Sequence, residues 1–181
     1  MVNNRVLSMN IKTLSGFTLT ELLVAVAILA ILLGVAAPSF SEIALTSKLT
    51  NAANRLVASA TLARTEAIKR NVTVTMCMSA NVTASSPTCT TSGNWAQGWI
   101  VYRQIDTTTN EVLHRETGIL SGYKVNGTVN AINFDPVGFG TTQATLTVCR
   151  YAPTTGTQER VVTVSATGKA ATKKTTTGTC S

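Results

Sequence analysis

The stretch GFTLTELLVAVAILAILLGVAAPSF, Gly16 to Phe40, decides how the rest of the chain is read. No side chain from Leu22 to Ser41 is charged, and about 20 apolar residues are what a helix needs to cross a bilayer core. Yet Glu21 stands at the start of this run and Pro38 near its end. A carboxylate in hydrocarbon costs about 2.5 kcal/mol or more, so it calls for a partner. Arg5 and Lys12 precede the run and favour a cytoplasmic N-terminus.

Beyond Pro38, apolar residues recur at Leu45, Leu49, Ala52, Leu56, Ala60, Ala63 and Ala67. Steps of three and four place them on one face of a helix. Glu66 and Arg70 stand four apart, the spacing of an ion pair along a helix. The sequence therefore predicts one helix over 17–70, kinked or loosened at Pro38. Its first part, 17–40, reads as a membrane stalk and its second, 41–70, as an amphipathic half that packs on a sheet.

After Asn71 the period shortens to two. VTVTMCMS alternates Val72, Val74, Met76 and Met78 with Thr73, Thr75 and Cys77, the mark of a half-buried strand. GWIVYRQI and EVLHRE flank DTTTN, a hairpin signal, and GILSGYKV, NAINFD, ATLTVCRY and ERVVTVSATG supply further strands. APTTGTQ reads as the turn between the last two. A long N-terminal helix followed by strands implies an α+β fold, the helix packed on an antiparallel sheet. The region 71–181 forms the globular β domain, and 168–181 is a basic tail.

The formal net charge is +7, or +5 without Arg5 and Lys12. That excess suits an anionic polymer, although most basic surfaces are simply soluble ones. The four cysteines, Cys77, Cys89, Cys149 and Cys180, all follow the apolar run. Their spacing matches no zinc pattern, and an even count beyond a membrane segment suggests an oxidising compartment with two disulfides. Three pairings are open; the local one, Cys77–Cys89 with Cys149–Cys180, is the simplest.

The segment SGFTLTELLVAVAILAILLGVAAPSF resembles the class III signal of type IV prepilins and pseudopilins. The resemblance implies that 1–16 is a leader, cut between Gly16 and Phe17 by a prepilin peptidase that then N-methylates Phe17. Glu21 matches the acidic fifth position of the mature chain and Pro38 the proline at the twenty-second. Cleavage would create an amine beside Glu21, and in a bundle of such helices each carboxylate can meet an amine, its own or a neighbour's. GNWAQGWIVYRQ, INFDPVGF and the cysteine pair around the first loop resemble the GspH/FimT family of minor pilins and pseudopilins. The resemblance implies a structural subunit of a type IV pilus or, alternatively, a GspH-like pseudopilin of a type II secretion system. Its partners would be prepilin peptidase, other pilins or pseudopilins and, before assembly, the bacterial inner membrane, with the globular domain in the periplasm.

FimT-like members bind double-stranded DNA in natural transformation through a C-terminal G-R-x-R stretch. Here Gly168-Lys169-Ala170-Ala171 keeps the glycine and one cation, and lysine offers a point charge where arginine offers a planar fork. Lys169, Lys173, Lys174, Arg160 and Arg150 are the DNA-contact residues expected on this basis, with a solvated basic tail as the plainer reading. If Cys149 pairs with Cys180, the tail would present its lysines on a loop.

Nothing points to catalysis. The single histidine, His114, reads as a solvated strand residue, and the carboxylates show no acid–base spacing. No P-loop, G-x-G-x-x-G or G-x-S-x-G occurs. No metal or cofactor is expected. Trp95 and Trp99 read as packing residues rather than a stacking platform. The N-x-T triplets at Asn71, Asn81 and Asn126 are attributed to the abundance of threonine.

Overall fold

The stripe from Leu49 to Ala67 is where the core begins. Leu49, Ala52, Ala53, Leu56, Ala60, Ala63 and Ala67 are all buried, with Leu45 packed at their margin. They lie on α1, which runs Leu19–Arg70. Four of the buried positions the periodicity picked out are alanines, and a face this thin lets a sheet approach the helix backbone closely. The computed structural model describes residues 16–106, 109–119, 121–151 and 158–177, less the side chains of 35–42. The chain divides into two units, Met1–Ile43 and Ala44–Ser181, and α1 contributes to both.

In the first unit the helix starts two residues later than expected, at Leu19. Pro38 falls within α1, but its side chain lies outside the described residues, as does the leader 1–15. Among the described residues no helix is long and apolar enough to cross a membrane. The side chains described in the stalk stop at Gly34, short of the expected 17–40 span.

In the second unit eight strands follow the helix among the described residues: β1 Val74–Met78, β2 Gly98–Gln104, β3 Asn110–Thr117, β4 Tyr123–Gly127, β5 Ala131–Phe134, β6 Ala144–Arg150, β7 Glu159–Val164 and β8 Ala170–Thr175. They form two four-stranded antiparallel sheets, β3-β2-β1-β5 and β4-β6-β7-β8, where the sequence suggested one. One core joins them: Met76, Trp99, Ile132 and Phe134 from the first sheet and Val125, Leu146, Val148 and Val162 from the second meet the helix stripe. Alternation works as expected in β1. Val74, Met76 and Met78 face that core, while Cys77 joins Val82 and Ile100 in a smaller cluster.

Asn71 ends the helix. It adopts a left-handed conformation, φ 53°, and the Val72 N–H donates to the Ala67 carbonyl at 3.2 Å. Asparagine tolerates that conformation better than most residues, so it serves as a helix stop.

The largest departure from the sequence reading is the C-terminus. Residues 170–175 are an edge strand in register with β7, Ala170 opposite Val164 and Thr175 opposite Glu159, not a solvated loop. Backbone pairing and the threonine hydroxyls hold a strand that buries almost nothing. The APTTGT part of the expected turn, residues 152–157, lies outside the described residues.

Candidate functional site

Gly16 and Phe17 precede the first turn of α1 in exposed backbone. Phe17 is 87% exposed, and a side chain built on Gly16 would touch nothing within 4 Å. The Gly16–Phe17 bond is therefore sterically open. Glu21 occupies the third position of the helix. Its Oε2 accepts from the Thr18 N–H at 3.1 Å and from the Thr18 hydroxyl at 3.0 Å. The Glu21 N–H lies 3.2 Å from Thr18 Oγ1 and donates back to it. This is a capping box, in which N-cap threonine and third-position glutamate satisfy each other's free backbone donors. The pattern T-x-x-E was present in the sequence as its signal. Downstream, every bulky apolar side chain described from Leu22 to Leu33 is more than half exposed, so this part of the helix is apolar on all sides.

The cysteines divide. Cys77 and Cys89 form a disulfide across 12 residues, tying the loop after β1 back to that strand. Asn81 organises the same loop: its Oδ1 accepts from the Thr88 N–H at 2.9 Å and the Ser79 hydroxyl at 3.1 Å. Cys149 is buried on β6 and is not a free thiol. Its expected partner, Cys180, lies outside the described residues.

The cationic residues do not gather as expected. Lys169, Lys173, Lys174 and Arg150 are exposed, but Arg160 is only 6% exposed. Its Nε donates to Thr50 Oγ1 on α1 at 3.3 Å and its Nη1 to the Glu159 carbonyl at 3.0 Å. Arg160 thus fastens β7 to the helix and is withdrawn from the DNA-contact set. Because 170–175 is a strand, Lys173 and Lys174 point to opposite faces of its sheet, and Lys169 sits at the far end, beyond Ala170. Adjacent lysines in the sequence therefore do not make one cluster in space. The one carboxylate on the strands of this sheet, Glu159, is buried, its Oε2 accepting from the Thr175 and Thr177 hydroxyls at 3.0 and 2.9 Å. Every exposed ionised group on those four strands is cationic.

Both indoles are structural. Trp99 is fully buried and donates to Ser59 Oγ on the helix at 2.9 Å; Trp95 is buried and donates to the Val129 carbonyl at 2.9 Å. The guanidinium of Arg55 lies 5.6 Å from the Trp99 ring centre, a cation–π distance, and pairs with Glu116. His114 Nε2 lies 3.1 Å from the other oxygen of Glu116. His114 is thus hydrogen-bonded to the same carboxylate that Arg55 engages from α1. Among the described residues no three His, Cys, Asp or Glu side chains converge as metal ligands.

A family model described as Type II transport protein GspH matches residues 52–168, more than half of the chain. The chain belongs to the GspH family. A second model, the prokaryotic N-terminal methylation motif, matches residues 12–37, the segment that holds the open Gly16–Phe17 bond and Glu21. Outside the family model, the fold is shared with the type IV minor pilin FimU of Pseudomonas aeruginosa, at 19% identity and TM-score 0.56 over 71% of this chain and 90% of that one. It is shared also with the minor pseudopilin EpsH of the Vibrio cholerae type 2 secretion system, at 10% identity and TM-score 0.53 over 70% and 96%. No curated protein matches by sequence. The chain is therefore a GspH-family protein whose fold is that of a minor pilin and of a minor pseudopilin.

Proposed function

We propose that this GspH-family chain is a minor pilin, a structural subunit of a type IV pilus. Prepilin peptidase cuts between Gly16 and Phe17 and N-methylates Phe17. The stalk 17–40 is held in the bacterial inner membrane, N-terminus cytoplasmic and globular domain periplasmic, until the subunit enters the filament. There Glu21 meets a mature N-terminal amine, and Pro38 marks the passage from stalk to the helix that carries the sheets. One observation carries this reading: a methylation motif lies on the same helix whose second half bears a pilin-type domain. The test is mass spectrometry of the mature chain in sheared surface filaments. The expected N-terminus is N-methylated Phe17. An uncut chain, or one absent from the filaments, overturns the reading.

The family description and the likeness to EpsH favour a second reading, a pseudopilin of a type II secretion system. Loss of protein secretion rather than of pili on deletion of the gene would select it. Within the pilus reading, DNA contact is a finer proposal. It is supported by the purely cationic exposed charge of the β4-β6-β7-β8 strands and uses Lys169, Lys173, Lys174 and Arg150.

A further inference from the structure

The loop between β5 and β6, Asp135-Pro136-Val137-Gly138-Phe139-Gly140, is held rigidly and displays apolar side chains to solvent. Asp135 Oδ1 accepts from the Val137 N–H at 3.1 Å and the Phe139 N–H at 2.8 Å. The Asp135 N–H donates to the Phe139 carbonyl at 3.0 Å, and the Gly138 N–H to the Asp135 carbonyl at 2.9 Å. From the helix, Arg64 Nε donates to the Gly138 carbonyl at 2.9 Å. From the β7–β8 turn, the Ala166 carbonyl accepts from the Gly140 N–H at 3.1 Å. Gly138, at φ +84°, lies so close to Ile68 that a side chain there would collide with it. Despite this clamping, Val137 is 69%, Phe139 52% and Ile68 50% exposed. The fold does not need these three side chains outside, and a loop already ordered loses little entropy when it binds.

We propose that Ile68, Val137 and Phe139 form an assembly contact, the apolar seat for a neighbouring pilin-type subunit; this rests on the filament reading above. Two observations select that occupant. Together the three side chains expose on the order of 300 Å², the lower end of the largest apolar patches on monomers and well short of the ~800 Å² per partner of a self-sufficient interface. A contact this small suits an assembly in which the exposed stalk supplies the rest. The charges around it are also mixed: Asp135 in the loop and Arg64 on the helix, one turn before Ile68. Interspersed signs fit the rim of a protein interface; an anionic lipid surface or nucleic acid would call for cations alone.

The test uses the full chain in piliated cells. With Val137→p-benzoylphenylalanine, ultraviolet light is expected to yield an adduct with a pilin-type subunit, identified by its peptides. Val137→Ser and Phe139→Ser are expected to lower recovery of the chain in sheared filaments about ten-fold, a loss typical of an apolar anchor. Cellular level and the Cys77–Cys89 bond should be unchanged. Tyr151→Ser, equally exposed and outside the patch, should be recovered normally. Should Phe139→Ser misfold, Val137→Ser and the crosslink decide. An adduct with lipid, DNA or a protein of another class, no adduct, or normal recovery of both variants overturns the proposal. If the wild-type chain is itself missing from filaments, the functional reading fails and this proposal with it.

Discussion

Thr18 and Glu21 cap the start of α1 through two hydrogen bonds to a single oxygen, Oε2. Oε1 takes neither bond, so one carboxylate can both cap its own helix and face an amine. These two roles separate by mutation. Thr18→Ala removes the hydroxyl part of the cap, at about 1 kcal/mol of helix stability, but keeps the charge and the backbone bond to it. Glu21→Ala removes both. If the charge governs assembly, Thr18→Ala enters filaments and Glu21→Ala does not, read by immunoblot of sheared filaments. Normal incorporation of Glu21→Ala would discard the assembly role.

Gly138 lies where helix, loop and β7–β8 turn meet. Its positive φ would strain any side chain, and a Cβ there would have to push the Ile68 side chain aside, while the adjoining Gly168, also at positive φ, packs against its carbonyl. Gly138→Ala should destabilise the protein by about 1–3 kcal/mol, measured by urea unfolding of the detergent-purified chain. Arg64→Met, which deletes the charged donor to the Gly138 carbonyl, should cost about 1.5–3 kcal/mol.

The far end of the helix should respond to acid. The hydrogen bond from Arg70 holds the Glu66 carboxyl below its ordinary value, against the opposing effect of desolvation and with added attraction from the Arg70 and Lys69 charges. Because the folded state lowers this pKa, its contribution is present above about pH 4.5 and is lost as pH falls through the folded value. Glu66→Gln should flatten that acid limb of the stability curve and leave the curve near neutrality otherwise shaped as before. An unaltered acid limb would mean the pair contributes nothing measurable.

Duplex DNA affinity tests the cationic strands. The lysines are dispersed over β8, so Lys173→Ala and Lys174→Ala should weaken binding unequally, since one duplex on one face meets only one of them directly. The log–log salt dependence should fall by about 0.9 for each lysine that meets a phosphate, read by fluorescence anisotropy at low salt. Unchanged affinity in the triple variant with Lys169→Ala rejects the site.

Much of the fold was legible before any coordinates. The apolar stripe from Leu49 to Ala67, the alternation in β1 and the hairpin between β2 and β3 follow from spacing, because periodicity and turn chemistry act locally, whereas spacing left three cysteine pairings open and the structure selects Cys77–Cys89. The T-x-x-E box was equally local but was masked by the stronger reading of Glu21 as a membrane charge. Asn71 stops the helix through a left-handed conformation, a role that its N-x-T context does not signal. The division into two sheets was not legible, because strands pair through backbone groups that every residue carries.

The sequence by itself determined that an apolar, motif-bearing helix precedes a β domain, because helix period, methylation motif and strand alternation are written in consecutive residues. Only the tertiary structure decided which charges are available. Arg160 is buried against Thr50, and β8 sends Lys173 and Lys174 to opposite faces. The tertiary structure also left Val137, Phe139 and Ile68 outside the core. Exposure depends on residues distant in the chain, and no local spacing encodes it.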